Sequence, residues 1–522
     1  MKRLIPNLLV AAALLGSSLL FAQTKTAKIV VQTDIKVLDP TFTTAYITRD
    51  FGYMVYDTLF ALDSKNVARP QMVDTWTSSK DGKQWSFTLR KNLRFSDGST
   101  VSSADIVASI QRWQARDSLG KQLGAVGAEW KPNGPEGFTL TLSEPFGMVL
   151  QALAKPSSFP LVILPERLAK APATSPLSEV TGSGPYMFKR DEWVPGNKVV
   201  FVKNPHYVPR SEPADGLAGG KTVAIDRVEW IYLPDANSAI SALKQGEVDM
   251  IAELPPDFIL PLRADPNVKV HAGAVLQGFL VPNHLFPPFS SAKARQAVQM
   301  AVNQEKFMAA VGVPPDMRKA YCGSWFICGS ANETNAGDEA FRRPDIAKAK
   351  QLLAESGYRG EKVVLLVASD MQHTNALAMM AAATMRSIGM NVEMQTMDWA
   401  SIVARRSKKD APDAGGWNMY ITAGAEFDVN SPITNVYLGA ACGNSLPGWP
   451  CDKRLDELRT AWVRETDAGK QKQLLDEFNR RAYEAPAYIM AGQYQSAFAA
   501  RSTLKGADKL WRGIPLAWML DK

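Results

Sequence analysis

The chain has 522 residues, of which 46% are hydrophobic and 21% charged, and its formal net charge is +7. This composition is ordinary for a soluble globular protein, and the length allows two or three domains. The basic excess is mild and no run of Lys or Arg exceeds two residues, which argues against a role in nucleic-acid binding.

Residues 1–22 have the pattern of a secretory signal peptide. Lys2 and Arg3 form the positive start, an apolar stretch follows, and Ala22 is a suitable last residue before cleavage. The apolar stretch is interrupted by Gly16-Ser17-Ser18 and is shorter than the ~20 residues that a membrane span needs. We therefore expect export and cleavage, with an uncleaved N-terminal anchor as the alternative.

Further along, Asp81-Gly82 separates two β-rich runs and predicts a hairpin of residues 75–79 and 84–89. Ser102 and Asp105 have the spacing of a capping box, which predicts a helix that begins here. The tryptophans of this region are expected to be core residues: Trp76, Trp85 and Trp113.

A tight corner is predicted at Gly182-Ser183-Gly184-Pro185, since glycine tolerates positive φ and proline fixes φ. The corner leads into a short strand at 186–188. A turn at Pro195-Gly196-Asn197 and a β-branched run at 199–202 follow, so the segment is expected to form a hairpin.

Two strand–helix–strand units come next. In the first, a strand at 228–233 precedes a helix capped by Asn237 and ended by Gly246, and residues 248–251 return as a strand. The second unit consists of residues 362–368, 374–388 and 391–397. A crossover of this kind makes the two strands of each unit parallel, with the helix on one face of the sheet.

Four cysteines in an exported chain suggest disulfide bonds. They lie as two neighbouring pairs, Cys322 with Cys328 and Cys442 with Cys451. Three connectivities are possible, and the local one closes two short loops. Free or metal-binding thiols are the alternative. The spacings do not match C-x-x-C and no histidine lies in a metal-ligand pattern, so we expect no metal site.

Several motifs, in this order, resemble the extracytoplasmic solute-binding proteins of family 5, the class that binds peptides, dipeptides, oligopeptides and nickel. The motifs are the tryptophan- and DG-containing run at 76–113, GSGPY at 182–186 followed by PGN and NPHY, and ALKQGEVD at 242–249. The resemblance extends from Lys28 to about Lys505. It implies an α/β, two-lobed periplasmic binding protein (Venus-flytrap) fold with an extra subdomain inserted in lobe one.

The expected domains are the signal peptide at 1–22, lobe I at 23–277 with the inserted subdomain at about 66–181, lobe II at 278–494, and a C-terminal return to lobe I at 495–522. Ligands of open α/β sheets bind at the carboxyl ends of the strands, and two lobes can close on such a ligand by hinge motion.

The resemblance implies a monomeric periplasmic receptor that delivers a solute to the permease of an ABC importer. The motifs G-x-S-x-G and H-E-x-x-H are absent, and Gly219-Gly220-Lys221-Thr222 lacks the first glycine and the strand of a phosphate-binding loop. We therefore expect no enzyme activity and no cofactor. The alternatives are a nickel-chelate or haem receptor of the same fold and, in another class, an exported hydrolase or chaperone.

The predicted ligand departs from the dipeptides of the resembled family. Dipeptide binders hold the ligand carboxylate with an Arg, and the matching position here is Asp370, which would repel it. Glu426 and Asp428 remain as acids that can meet an ammonium group. We therefore expect a peptide-like or cationic organic solute, and not an ordinary dipeptide held at both ends.

The candidate ligand-binding residues are Asp34, Tyr46, Asp370, His373, Trp399, Trp417, Tyr420, Glu426 and Asp428. Asp39 is a further polar candidate near Asp34, with an Asx-type turn as the alternative. For each acidic residue the alternative is a solvated loop carboxylate, and for Trp399 it is packing within its own lobe.

Overall fold

The computed structural model describes residues 24–442 and 445–522. The predicted signal peptide lies outside these described residues. Within them, no helix combines the length and apolar character that crossing a membrane requires.

The described chain alternates helices and strands over most of its length. The strands are β1 (Thr26–Val30), β2 (Phe60–Leu62), β3 (Ala68–Pro70), β4 (Val73–Ser78), β5 (Gln84–Leu89), β6 (Glu129–Asn133), β7 (Gly137–Thr141), β8 (Tyr186–Phe188), β9 (Lys198–Lys203), β10 (Arg227–Ile231), β11 (Met250–Ile251), β12 (Val268–Pro282), β13 (Lys362–Ala368), β14 (Asn391–Met397), β15 (Met419–Ala425) and β16 (Ile489–Arg501). The helices are α1 (Tyr46–Val55), α2 (Ser103–Gln114), α3 (Ser118–Ala125), α4 (Val149–Leu153), α5 (Glu166–Ala169), α6 (Ala236–Gln245), α7 (Ile259–Arg263), α8 (Ala292–Ala301), α9 (Gln304–Val311), α10 (Ile346–Glu355), α11 (Gln372–Ser387), α12 (Trp399–Arg406), α13 (Glu426–Val429), α14 (Lys453–Arg464) and α15 (Ala468–Glu484).

One large sheet runs through both lobes, in the strand order β14-β13-β15-β12-β16-β11-β1-β10-β9-β8. Its two central strands, β12 and β16, pair antiparallel, and their register shifts between Ala272 and Val275. β12 pairs with β15 beyond this shift, whereas β16 pairs with β11 before it. The shared strands therefore join two halves, lobe I with β11, β1 and β10, and lobe II with β15, β13 and β14. We place the boundary near Gly273 and Ser496, at this shift.

Both predicted strand–helix–strand units are confirmed. β13 and β14 pair in parallel, and β10 and β11 both pair in parallel with β1. β13 is a continuous apolar run because helices cover both faces of a parallel sheet. The predicted cap of α6 is wrong by two residues, since the side chain of Asp235, not Asn237, accepts the N–H of Ser238.

The predicted inserted subdomain contains its own four-stranded sheet, β4-β5-β7-β6. Phe87 and Phe138 stack at its centre, 4.8 Å between ring centroids. Trp113 is fully buried as predicted, but Trp76 is 36% exposed. The prediction of a core Trp76 is wrong because β4 is an edge strand whose residues after Val73 face solvent.

The predicted glycine corner positions α1. A Cβ added to Gly182 would lie 1.8 Å from the carbonyl oxygen of Val55, and one added to Gly184 would lie 2.7 Å from the nitrogen of Tyr56. The glycines are thus required by close backbone approach and not, as predicted, by positive φ. The corner lets β8 lie directly against the end of α1, the helix that begins at Tyr46.

Asp39 lies inside lobe I and not at its surface. Its carboxylate forms a buried ion pair with Arg112, 2.7 Å from Nη2 to Oδ2, with side chains 1% and 0% exposed. The same guanidinium donates to Thr41 Oγ1 and to the carbonyl oxygens of Ala171 and Ser175. Asp39 therefore has a structural partner, and its proposed place near the ligand is not supported.

The four cysteines form two disulfides, as expected, and of the three possible connectivities the structure has the local one, Cys322–Cys328 and Cys442–Cys451. The first bridge is tied to a shared strand, because the N–H of Cys328 donates to Oε1 of Gln493 on β16, at 3.0 Å. This bridge fixes a loop of lobe II near the junction between the lobes.

Candidate functional site

The two lobes meet at α13, the short helix that directly follows β15. Its residue Asp428 is 7% exposed, and its carboxylate accepts hydrogen bonds from three hydroxyls of lobe I. Tyr46 Oη lies 2.7 Å from Oδ2, Ser157 Oγ 3.2 Å from Oδ2, and Ser158 Oγ 2.9 Å from Oδ1. Tyr46 also accepts the N–H of Ala425 at 3.1 Å. The predicted candidates Tyr46 and Asp428 are thus brought into direct contact.

Helix α1 adds an ion pair to this contact. Arg49 lies one turn after Tyr46, and its guanidinium is 4.6 Å from the Tyr46 ring and 4.5 Å from the Phe427 ring. Its Nη2 is 2.6 Å from Oδ1 of Asp50. Burial alone would lower the pKa of Arg49, but Asp50, Tyr46 and Asp428 together raise it, so the guanidinium stays charged.

We call Tyr46, Arg49, Asp50, Ser157, Ser158 and Asp428 the boundary cluster. Arg49 is paired with Asp50. Within the described residues no ion pair includes Asp428, since the neighbouring cations belong to the Arg49–Asp50 and Arg512–Glu426 pairs. The cluster therefore holds one more acidic than basic residue at the lobe boundary. A buried carboxylate of this kind favours a cationic group beside it.

Glu426 also lies at the boundary between the lobes, but both oxygens of its carboxylate already contact other residues of the protein. Oε1 accepts the N–H of Val275 on β12 at 2.9 Å, and Oε2 lies 3.1 Å from Nη2 of Arg512 in the C-terminal segment. Burial raises the pKa of Glu426, and these two partners only partly offset the effect. These contacts make Glu426 a link between the lobes.

Replacing Arg512 with glutamine should weaken solute binding two- to fivefold, because it removes an ion pair that joins the C-terminal segment to lobe II. A partly exposed pair contributes up to about 1 kcal/mol. Isothermal titration calorimetry measures the change. Arg454→Gln is the control, since its pair with Glu477 lies within lobe II. An equal effect of both variants would contradict the role of Arg512 in closure.

Two predicted acidic residues lie outside the boundary cluster. Asp34 pairs with Lys36, 2.5 Å from Oδ2 to Nζ, and lines a cavity of about 10 Å³ in lobe I. Asp370 is exposed, and its Oδ1 accepts the N–H of Trp399 at 2.8 Å. Asp370 thereby connects the end of β13 to the start of α12. Ligand contact by either residue remains a prediction.

The aromatic candidates differ in their exposure. Trp399 is half-buried at the start of α12, whereas Trp417 and Tyr420 are fully buried. Trp417 packs on Tyr420 and Trp449, with ring centroids 5.2 and 5.7 Å apart. Trp417 and Tyr420 therefore form part of the lobe II core, and of the three only Trp399 presents its ring at a surface.

Arg406 lies beside the rings of Trp399 and Tyr420. Its guanidinium lies 5.5 Å from the Trp399 ring and 5.3 Å from the Tyr420 ring. Among the described residues no carboxylate pairs with it, and its buried Nε has no hydrogen-bond partner. An arginine in this state can receive an anionic group of a ligand.

His373 lies at the start of α11, is not a member of the boundary cluster, and is half-buried. Burial lowers its pKa, while the carboxylate of Glu253 acts in the opposite direction. Burial raises the pKa of Asp50, and the negative charge of Glu253 acts in the same direction. A second carboxylate thus adds negative potential near the cluster. Among residues 24–442 and 445–522, no three His, Cys, Asp or Glu side chains are grouped as metal ligands.

A cavity of about 830 Å³ lies beside Arg512. It is lined by the loop 210–216, the C-terminal segment 508–512, and Gly273 and Gln495 on the shared strands. All of these residues belong to lobe I or to the shared strands. A solute in this cavity would not be enclosed by lobe II, so we do not assign it as the closing site.

Sequence reasoning missed five residues of the site: Arg49, Asp50, Ser157, Ser158 and Arg406. A signal existed for Arg49, because it follows Tyr46 at helical spacing and shares its face. Ser157 and Ser158 lie in a proline-rich loop. Their hydroxyls donate to Asp428, which lies 271 and 270 positions later in the chain. No local pattern shows such a contact.

Similar proteins share this architecture. A probable peptide ABC transporter periplasmic-binding protein of Sinorhizobium fredii is 36% identical over 99% of this chain and 98% of that relative. The periplasmic binding protein AgaA of A. tumefaciens R10, solved with agropinic acid, superposes with a TM-score of 0.79 at 22% identity over 94% of this chain and 97% of its own. The oligopeptide-binding protein AppA of Bacillus subtilis, solved with a nonapeptide, superposes with a TM-score of 0.79 at 17% identity. The match covers 95% of this chain and 99% of that protein's chain.

These structures have the two-lobed fold of periplasmic binding proteins, in agreement with the shared strands and the two half-sheets described above. The model of the bacterial extracellular solute-binding proteins, family 5, matches residues 68–446, which include the inserted subdomain and most of lobe II. The chain therefore belongs to the bacterial extracellular solute-binding proteins of family 5.

Proposed function

We propose that this protein is the periplasmic receptor of an ABC importer and captures a peptide-like or cationic organic solute between its lobes. The name of the Sinorhizobium relative supports the importer and the peptide-like class. The observation that supports a cationic ligand is Asp428, a buried carboxylate at the lobe boundary that forms no ion pair among the described residues. After cleavage of the signal peptide, the monomer carries its solute to the permease and catalyses no reaction.

The ammonium group of the solute binds at Asp428. It neutralises the excess negative charge of the boundary cluster, which is otherwise left uncompensated in a site of low exposure. Because Asp428 belongs to lobe II and its hydroxyl partners to lobe I, a group held here contacts both lobes. Binding thus favours the closed arrangement over the open one.

The geometry favours a solute longer than a dipeptide if both of its ends are held. Arg406 lies beside Tyr420, near the start of β15, and Asp428 follows the end of that strand. Tyr420 and Ala425 are five positions apart along the strand, or roughly 17 Å at ~3.3 Å per residue. An extended dipeptide spans only about 7 Å. Arg406 is therefore too far away to hold the carboxylate of a dipeptide whose ammonium group is at Asp428.

Three forms of one tripeptide mixture, made without Lys or Arg, test the ligand's charge: free, N-acetylated and C-amidated. We expect calorimetry to detect the free form and to show that acetylation lowers affinity at least about 100-fold, because a buried carboxylate then loses its charged partner. Amidation should matter less than acetylation. Binding that survives acetylation but is lost on amidation would overturn the proposal.

Native mass spectrometry of the protein purified from the periplasm tests the class of solute directly. We expect the retained mass to be that of an amine-bearing solute. A nickel chelate or haem would instead support the alternative receptor of the same fold.

A further inference from the structure

The loop that supplies Ser157 and Ser158 has an uncommon backbone. Ser158 and Phe159 have φ values of +46° and +65°, so two consecutive residues other than glycine lie in the left-handed region. Such residues persist in this region only where the surrounding structure imposes it. The conformation turns the hydroxyl of Ser158 toward Asp428 of the other lobe.

Buried contacts from lobe I impose this conformation. Nζ of Lys155 donates to the carbonyl oxygen of Ser158 at 2.5 Å and pairs with Asp117, which is fully buried. Nε1 of Trp113 donates to the carbonyl oxygen of Phe159 at 2.9 Å. The ion pair and the indole thereby fix both residues of the strained segment.

As a consequence, hydroxyl donors occupy most of the hydrogen-bond acceptor positions of the Asp428 carboxylate. A carboxylate offers about four acceptor positions. Tyr46 and Ser157 use the two on Oδ2, and Ser158 uses one of the two on Oδ1. In the closed arrangement a single acceptor position therefore remains, and it is on Oδ1.

The number of free positions decides which cation fits. A guanidinium binds a carboxylate through two parallel N–H bonds, one to each oxygen, and Oδ2 has no position left for the second bond. An ammonium group needs only one N–H at Oδ1, and its other hydrogens can be accepted by the neighbouring hydroxyl oxygens. We infer that Ser157 and Ser158 are positioning residues that restrict Asp428 to solutes with an ammonium group and exclude those with a guanidinium. This inference rests on the proposed function.

The test compares two cations on one scaffold. The probes are the tripeptide mixture without Lys or Arg, with free amino termini, and the same mixture after conversion of those termini to guanidines. Calorimetry with the wild-type protein should show at least about tenfold tighter binding of the ammonium form than of the guanidinium form. In the double variant Ser157→Ala/Ser158→Gly, the ratio of these two affinities should fall below about threefold. Glycine accepts the φ of residue 158, so the hydroxyl is removed without backbone strain.

Three outcomes overturn the inference in distinguishable ways. Equal wild-type affinity for both forms refutes the selectivity but leaves the role of Asp428 intact. Failure of the wild-type protein to bind either form refutes the proposed function and the inference together. An equal loss for both forms in the double variant shows that the hydroxyls only hold the lobes together. Ser99→Ala is the control, since its hydroxyl bonds Asp97 on the exposed surface of lobe I, and it should leave the ratio unchanged.

Discussion

Replacing Asp428 with asparagine is expected to lower the affinity for free-amine tripeptides on the order of 100-fold. The substitution preserves the size of the side chain but removes its negative charge. The ammonium group would then be buried without a charged partner, and truncating one member of a buried charge pair costs about 2–5 kcal/mol. Three hydroxyl donors of lobe I would also face an amide that has one acceptor oxygen in place of two.

Isothermal titration calorimetry with the free tripeptide mixture measures this loss. Asp413→Asn is the matched control, because it removes the same charge from an exposed position of lobe II. The control should bind within about twofold of the wild-type protein, as expected for a screened surface charge. Equal affinities for Asp428→Asn and the control would show that Asp428 does not hold the cation.

The second large effect is on stability. Replacing Arg112 with methionine is expected to lower the free energy of unfolding by about 3–5 kcal/mol, the usual cost of leaving one member of a buried ion pair alone. Asp39 would remain without its partner at 1% side-chain exposure. The variant also removes donors from Thr41 and from the carbonyl oxygen of Ala171.

Urea unfolding, followed by tryptophan fluorescence, measures the change in stability. Arg464→Met provides the comparison, since its pair with Glu144 is exposed at 40% and 59% and should contribute less than about 1 kcal/mol. The double variant Arg112→Met/Asp39→Leu should recover part of the loss, because no buried charge is then left unpaired. A double variant less stable than Arg112→Met would contradict this explanation.

The boundary cluster also explains how ligand recognition and closure are coupled. Asp428 and Glu426 lie within one short helix that directly continues β15, a strand paired with the shared strand β12. A group bound at Asp428 and the ion pair of Glu426 with Arg512 therefore act on the same segment of lobe II. A solute that binds the closed state more tightly than the open state stabilises the closed state by the difference between the two binding free energies.

Many elements of the fold were predictable because their signals are local. The bounds of β13 and β14 coincide with the predicted 362–368 and 391–397, since β13 is a short apolar run, β14 alternates polar and apolar residues, and clear breaks flank both. The capping box of Ser102 and Asp105 is also present in the structure. In contrast, no local signal marks the full length of the shared strands β12 and β16. Their glycines and alanines give little β signal, and pairing with each other makes these segments strands.

The sequence by itself determined the family, the compartment expected for it, the α/β class and the two acids of α13, since motifs and periodicity are properties of neighbouring residues. Only the tertiary structure decided which acids matter and how. It paired buried Asp39 with Arg112 and Glu426 with Arg512, and it left Asp428 outside every ion pair of the described residues. The physical reason is that the state of a carboxylate depends on burial and on partners far away in the chain, such as Ser158, which no local pattern encodes.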